Sequence, residues 1–301
     1  MTGATMTVSV VIPTKNRLQS LRQVLPSYFA QPEVAEVIVV IDGSTDGTRE
    51  FLKGLATNEA RLRVVDNGRN RGVPFSRNAG IDCATSAYIF VAEDDLELSV
   101  HFFSTLLEHL ASSGADAISG RNIWRYEGES AADAIARTDL NRGPQVNLRI
   151  VANNTSAPLA DDTVQLLIAS PMLATAELFR RVRYDVRYEV NFWREESDFQ
   201  LAVQEAGGVL VSCPHAICFN YMLNNDRGGV HASVGVKRLL WITINNWRFL
   251  SKHRTFLEEH FEIGSSLGFL VRSAGSVFLS EMAIPRLVRA KRRLVGRRVR
   301  A

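Results

Sequence analysis

The feature that most constrains this chain is an alternation that fills its first hundred residues: short β-branched runs, each closed by a polar cluster, each followed by apolar residues at helical spacing. Val8-Ser9-Val10-Val11-Ile12 is closed by Pro13, and Leu18, Leu21, Val24, Leu25 and Phe29 then recur on one helical face. Glu36-Val37-Ile38-Val39-Val40-Ile41 stops at Asp42-Gly43-Ser44, after which Asp46-Gly47-Thr48 opens a helix near Arg49 to Leu55. Leu62-Arg63-Val64-Val65 leads through Asn70-Arg71-Gly72 to a helix near Pro74 to Cys83, and Tyr88-Ile89-Phe90-Val91 ends in Glu93-Asp94-Asp95. Repeated strand–helix–strand units with short connections predict an α/β fold, a Rossmann-like, mostly parallel sheet covered on both faces. Ligands of such sheets bind beyond the carboxyl ends of the strands. The polar clusters, from Pro13-Thr14-Lys15-Asn16-Arg17 to the acidic triplet, all fall there.

Further along, the pattern predicts a helix near His101 to Ser112, a strand from Ala115 to Ser119, and a loop-rich insertion from Tyr126 to Asp162 that is mobile or shapes a second substrate. Order returns with a strand-like Val164 to Ser170, a helix near Thr175 to Val182, a helix starting at Glu195 or Glu196 and running to Ala206, and a strand from Val209 to Ser212. Helices from Val236 to His253 and beyond Gly268 close the chain. With 301 residues, 46% hydrophobic and 22% charged, disorder, collagen and coiled coil are excluded for the whole. The net charge of +3 is a property of the tail: residues 282–301 carry eight Arg and Lys and no acid, which leaves −5 for the rest. That excludes a nucleic-acid-binding body and leaves an anionic membrane surface as a partner for the tail, whose arginines follow apolar Leu267, Phe269, Leu270 and Val271. Cys83, Cys213 and Cys218 form no CxxC pair and suggest neither a disulfide framework nor a zinc site. The N-terminus lacks the basic-then-apolar order of a secretion signal, and Arg272 and Glu281 interrupt the longest apolar stretch. The expected location is the cytoplasm, with peripheral contact at the inner face of the membrane.

The carboxylates of Glu93-Asp94-Asp95 crowd the end of an apolar strand and repel one another unless a cation sits among them. A hard divalent ion such as manganese or magnesium would relieve them and neutralise a bound diphosphate, whereas an isolated triplet of this kind can equally cap a helix. Its company of three polar loops favours the metal. Asp42, at the end of a buried strand, is suited to accept from a nucleobase N–H, with Asp46 left to cap the helix. Arg71 and Arg77 suit phosphates or are merely solvated. Glu195-Glu196-x-Asp198 opens an amphipathic helix, where the dipole alone accounts for acids, yet a carboxylate reaching a substrate hydroxyl from there would be a general base. His215 and His231 are possible ligands, and no Ser-His-Asp or HExxH arrangement is present.

In order, these pieces resemble the family 2 glycosyltransferases of GT-A fold. The segment from Val8 to Arg17 is similar to the family's opening strand and nucleotide loop, and Asp42-Gly43-Ser44-Thr45-Asp46-Gly47-Thr48 to its second signature. Asn70-Arg71-Gly72 with Ser76-Arg77-Asn78-Ala79-Gly80-Ile81 resembles its third, Glu93-Asp94-Asp95 stands at its DxD position, and Glu195-Glu196-Ser197-Asp198 resembles its ED-x-D helix. The resemblance covers about residues 8–220. It implies inverting transfer of a sugar from a nucleotide diphosphate donor, such as a UDP- or dTDP-sugar, to a sugar or lipid-linked acceptor, with manganese or magnesium on the diphosphate. By position, Pro13, Thr14, Asn16, Arg17, Asp42, Arg71, Arg77 and Asp94 would bind the donor, Asp95 the metal, and Glu196, or its neighbour Glu195, would deprotonate the acceptor. Residues 1–112 would then be the nucleotide-sugar half, 113–225 the acceptor and catalytic half of the same domain, and 226–301 a helical extension with a basic tail. There are departures. Ile41 stands where the family has a first acid, Glu196 where Asp is commoner, and Asn220-Tyr221 near the place of a frequent histidine, which leaves His231 as its substitute. An inactive, glycosyltransferase-like scaffold at a membrane is the alternative reading.

Overall fold

The computed structural model describes residues 6–222 and 236–278. Four parallel strands form its N-terminal part: β1 (Val8–Thr14), β2 (Val34–Ile41), β3 (Leu62–Asp66) and β4 (Tyr88–Val91), linked by α1 (Leu18–Phe29), α2 (Thr48–Ala56) and α3 (Val73–Cys83). The same sheet continues through β5 (Leu96–Leu98), β6 (Ala117–Tyr126), β9 (Thr163–Val164), β10 (Met172–Thr175) and β11 (Leu210–Met222), in the order β3-β2-β1-β4-β10-β6-β11-β5, with β9 on β11. β6 and β11 pair parallel, while β10, β5 and β9 run antiparallel to their neighbours. The remaining elements are α4 (Phe102–Ser113), α5 (Ala131–Thr138), the hairpin β7 (Val146–Asn147) with β8 (Ala152–Asn153), α6 (Ala176–Arg181), α7 (Glu195–Glu205), α8 (Val236–Lys252), α9 (Arg254–His260) and α10 (Ser266–Phe278).

Alternation along the strands builds a core on each face of the sheet. Val10 and Ile12 pack with Leu21 and Val24 of α1 and Leu106 of α4, whereas Val11, Ile38 and Val40 pack with Ile81 of α3, Phe179 of α6 and Phe199 of α7. Pro13 does not end β1 as the run predicts. Val11 turns its carbonyl to Ala92 and Thr14 its carbonyl to Asp42, so Pro13 faces the β4 side beyond that strand's end, where no ladder bond asks for its missing N–H.

The stretch expected to be loop is more ordered than predicted, because it contains α5 and the β7–β8 hairpin. Ser130 caps α5 by accepting from the Asp133 N–H, a Ser-x-x-Asp start visible in the sequence. Conversely, Val164 to Ser170 is not one strand. Side-chain amides replace the ladder there: Gln200 of α7 accepts from the Ile168 N–H at 2.8 Å and donates to its carbonyl at 3.1 Å, while Asn153 donates to the same carbonyl at 2.5 Å.

α7 is tied to the C-terminal helices from below. Asp198 is fully buried and accepts from Tyr188 Oη at 2.9 Å and from Lys252 Nζ at 2.7 Å, with His253 Nε2 at 2.9 Å. The helix-dipole explanation for this acid is therefore incomplete, since it is the hub joining α7 to α8. Arg194, just before α7, lies in the left-handed region (φ 78°) and binds the carbonyls of Ile150 and Val151, Asn246 and Ser273, and burial lowers its pKa to about 10. Asp198→Ala strands Tyr188, Lys252 and His253, and thermal unfolding is expected to show a loss of about 3–5 kcal/mol. A change within 0.5 kcal/mol would refute the hub.

Candidate functional site

The loops after β1 and β2 are knitted together. Asn16, in the left-handed region (φ 54°), donates its N–H to Ser44 Oγ at 3.0 Å, and its side-chain oxygen accepts from the Thr45 N–H at 2.7 Å. The N-cap of α2 is Gly47 rather than the expected Asp46, which lies one residue before it and, by accepting from the N–H groups of Thr48 and Leu18, ties the starts of α2 and α1 together. Asp42, only 4% exposed, accepts from Asn67 Nδ2 at 2.9 Å and from the N–H groups of Arg71 at 2.7 Å and Gly72 at 2.9 Å. Much of the hydrogen-bonding capacity expected for a nucleobase thus holds the loop after β3. A Cβ on Gly43 (φ 75°) would lie 2.6 Å from the Asn70 nitrogen, so only glycine lets the two loops approach this closely. The exposed Arg71 guanidinium lies 3.8 Å from the centre of the Phe75 ring.

At the end of β4, Thr14 Oγ1 donates to Asp94 at 2.8 Å, and the Arg17 guanidinium bridges Asp94 and Asp95. Asn220 of β11 reaches the same point, its Nδ2 donating to Glu93 at 2.9 Å and to Asp95 at 3.1 Å, while its buried Oδ1 has no hydrogen-bond partner. Burial, then the charge of Glu196, then that of Asp95 push Glu93 up to about 8. Crowded carboxylates, a cation already drawn among them and an oxygen lacking a partner fit a hard divalent ion. Of the residues expected to hold it, Asp95 lies here, and His231 lies outside the described residues.

α7 completes the site from a distant part of the chain. Arg77 of α3, its side chain 3% exposed, donates to Glu195 Oε1 at 2.5 Å and to Glu196 Oε1 at 2.7 Å. It is spent on these acids rather than offered to a phosphate, because burial leaves it no path to one. Ser170 Oγ donates to Glu196 Oε2 at 2.5 Å. The two glutamates differ sharply: the Glu195 side chain is 4% exposed with Oε2 buried and without a partner, while that of Glu196 is 35% exposed. Phe192, whose ring a Cβ on Gly72 would meet at 2.7 Å, seats the approach to α7 on the loop after β3. Sequence reasoning missed Ser170, Asn67 and the Arg77 clamp. No spacing signals the clamp, whose partners are 118 and 119 residues apart.

Burial pushes Glu195 up to about 8, the Arg77 charge opposing it and the Glu196 charge adding to it. Its folded pKa thus exceeds the ordinary 4.5, the native state keeps a proton that the unfolded chain releases, and stability falls as pH rises from about 4.5 to about 8, by at most about 1.4 kcal/mol per pH unit. Thermal melts of Glu195→Gln across that window are expected to flatten the slope in part, Glu93 supplying the remainder. An unchanged slope would contradict the assignment.

A doubly covered sheet whose strand ends gather an acidic triplet, a nucleotide-type loop set and a carboxylate helix defines a GT-A glycosyltransferase fold. Residues 9–155, just under half of this chain, match the profile of Glycosyl transferase family 2. Over 140 residues, 46% of this chain, it is 34% identical to the succinoglycan biosynthesis protein ExoU of Rhizobium meliloti, of which the match covers 40%. The chain spans less than half the length of that relative. Among solved structures it is similar to GalNAc-T7 with UDP, GalNAc and Mn2+ (TM-score 0.64, 15% identity, 94% of this chain and 57% of that one). It is also similar to S. aureus TarS 1-349 with UDP-GlcNAc (TM-score 0.57, 15% identity, 91% and 73%). At that identity the likeness is one of fold. Among the described residues, no helix is long and apolar enough to cross a membrane.

Proposed function

We propose that this chain is an inverting glycosyltransferase that moves a sugar from a UDP- or dTDP-sugar to an acceptor hydroxyl in glycoconjugate biosynthesis, with Glu196 as general base. The observation that carries this reading is the Arg77 clamp, which holds Glu196 partly exposed and within electrostatic reach of Glu93 at the end of β4. UDP in GalNAc-T7 and UDP-GlcNAc in TarS support the nucleotide class. Asp42 organises the nucleobase pocket and Asn16 its neighbouring loop; Pro13 and Thr14 form its floor, Asp94 meets the ribose, and Arg17 and Arg71 meet the diphosphate.

Glu196 takes the proton of the acceptor hydroxyl, the new C–O bond forms on the face of the anomeric carbon opposite the leaving diphosphate, and the old bond breaks with inversion. Arg77 and Ser170 fix the carboxylate for that transfer. Manganese or magnesium held by Asp95, with Glu93 and Asn220 beside it, would supply positive charge for the departing diphosphate. On α10, Leu267 and Val271 lie one turn apart and exposed, which supports contact with an anionic membrane at the inner face. The arginines that would join them lie outside the described residues.

The test is release of nucleotide diphosphate from a panel of UDP- and dTDP-sugars, with and without manganese. Metal-dependent release from one donor is expected. No release from any donor would overturn the reading in favour of an inactive scaffold.

A further inference from the structure

Away from the strand ends, three side chains that the proposed reaction does not use converge. His109 of α4, Asp162 just before β9 and Cys213 of β11 offer one nitrogen, one oxygen and one sulfur, all within 4.8 Å of one another. We propose that they form a second, structural site for a divalent transition metal of the zinc class.

The topology makes the convergence firm. Thr163 pairs with Ser212 in an antiparallel ladder, so the next register step sets Asp162 against Cys213. α4 packs on β11 and brings His109 over them, its Nδ1 2.6 Å from Asp162 Oδ2. The other Asp162 oxygen is buried with no hydrogen-bond partner. His215, two residues beyond Cys213, is exposed with its ring centre 5.2 Å from that of His109, and it or a water closes a fourth position from the solvent side. Tetrahedral zinc, with bonds of about 2.0–2.3 Å, needs its ligand atoms roughly 3.5 Å apart, so only a small movement is required.

The donor set separates this site from the acidic one. Thiolate and imidazole favour zinc or cobalt, while the oxygens of Asp95 and Glu93 favour magnesium or manganese. Asn220 also lies seven residues further along β11 than Cys213, roughly 20 Å of extended strand. Cys213 binds such an ion as a thiolate, so metal entry releases its proton. The bound ion would staple α4, the segment before β9 and β11 together, adding to the packing of α4 on β11 and the two-residue ladder of β9.

The test is titration of untagged, chelator-treated full-length protein with cobalt, read by absorbance. One equivalent per chain with a thiolate-to-cobalt charge-transfer band is expected, and zinc should displace it. Cys213→Ser should abolish the band. His109→Gln and Asp162→Asn, at partly exposed positions that leave the core intact, should each weaken affinity at least about tenfold, since even residues outside the ligand set cost that much at metal sites. Asp95→Ala should keep the band. Cobalt binding without the band, or a band indifferent to His109→Gln and Asp162→Asn, would overturn the site even if Cys213→Ser failed to fold.

Discussion

Glu196→Gln is expected to lower kcat by about two to four orders of magnitude while leaving donor affinity and melting temperature nearly unchanged. The amide keeps the shape of the side chain, and its oxygen can still accept from Arg77, but it cannot take a proton from the acceptor. The Ser170 hydroxyl, which donates to Glu196 Oε2, can turn and accept from the new amide. Glu195→Gln serves as the internal comparison, because Glu195 shares the same arginine but is buried behind it. Steady-state kinetics on the two variants should separate them: a large kcat loss in Glu195→Gln with Glu196→Gln still active would move the base by one residue.

Asp95→Ala should remove the metal dependence of nucleotide binding. Asp95 is the carboxylate that meets both Arg17 and Asn220, so its loss takes away the charge that gathers the site. With the ligand gone, manganese should no longer raise UDP affinity, and turnover at saturating donor should fall by at least about a hundredfold. Calorimetric titration of the variant with and without manganese checks the first, and initial rates check the second. A manganese-dependent gain equal to that of the parent chain would place the ion elsewhere.

The first half of the sheet is legible because β1, β2 and β4 are buried almost throughout and read as mostly apolar runs that stop where their carboxyl ends meet solvent; β3, a half-exposed edge strand, is marked by Leu62, Val64 and Val65 alone. The second half is harder. β11 extends from Leu210 to Met222, but Pro214 and His215 break the apolar pattern after Cys213, and the structure absorbs them as a register shift between Cys213 and Ile217. Reading the strand as ending at Ser212 therefore leaves only the family resemblance to put Asn220 near the acids, as a departure from a frequent histidine rather than as a partner of Glu93 and Asp95. α9 escaped because seven residues carry too little periodicity to register. Among site residues, Glu93, Asp95 and Glu196 were visible as clustered acids at element ends. Arg77 reads in the sequence as a donor-binding cation, because the acids it meets, Glu195 and Glu196, arrive from another segment through tertiary folding. Asp198 shows the converse: a first-turn acid looks satisfied by the helix dipole, and nothing local reveals that Lys252 and His253 will bury it.

The most direct measurement is calorimetric titration of the full chain with UDP in manganese and again in excess chelator. Coupling of the acidic strand end to a nucleotide diphosphate predicts one UDP per chain with manganese and an affinity lower by at least about tenfold without it, the charge-assisted contact at the diphosphate being worth upward of 1.4 kcal/mol. No UDP binding in either buffer, or equal affinity in both, would contradict it.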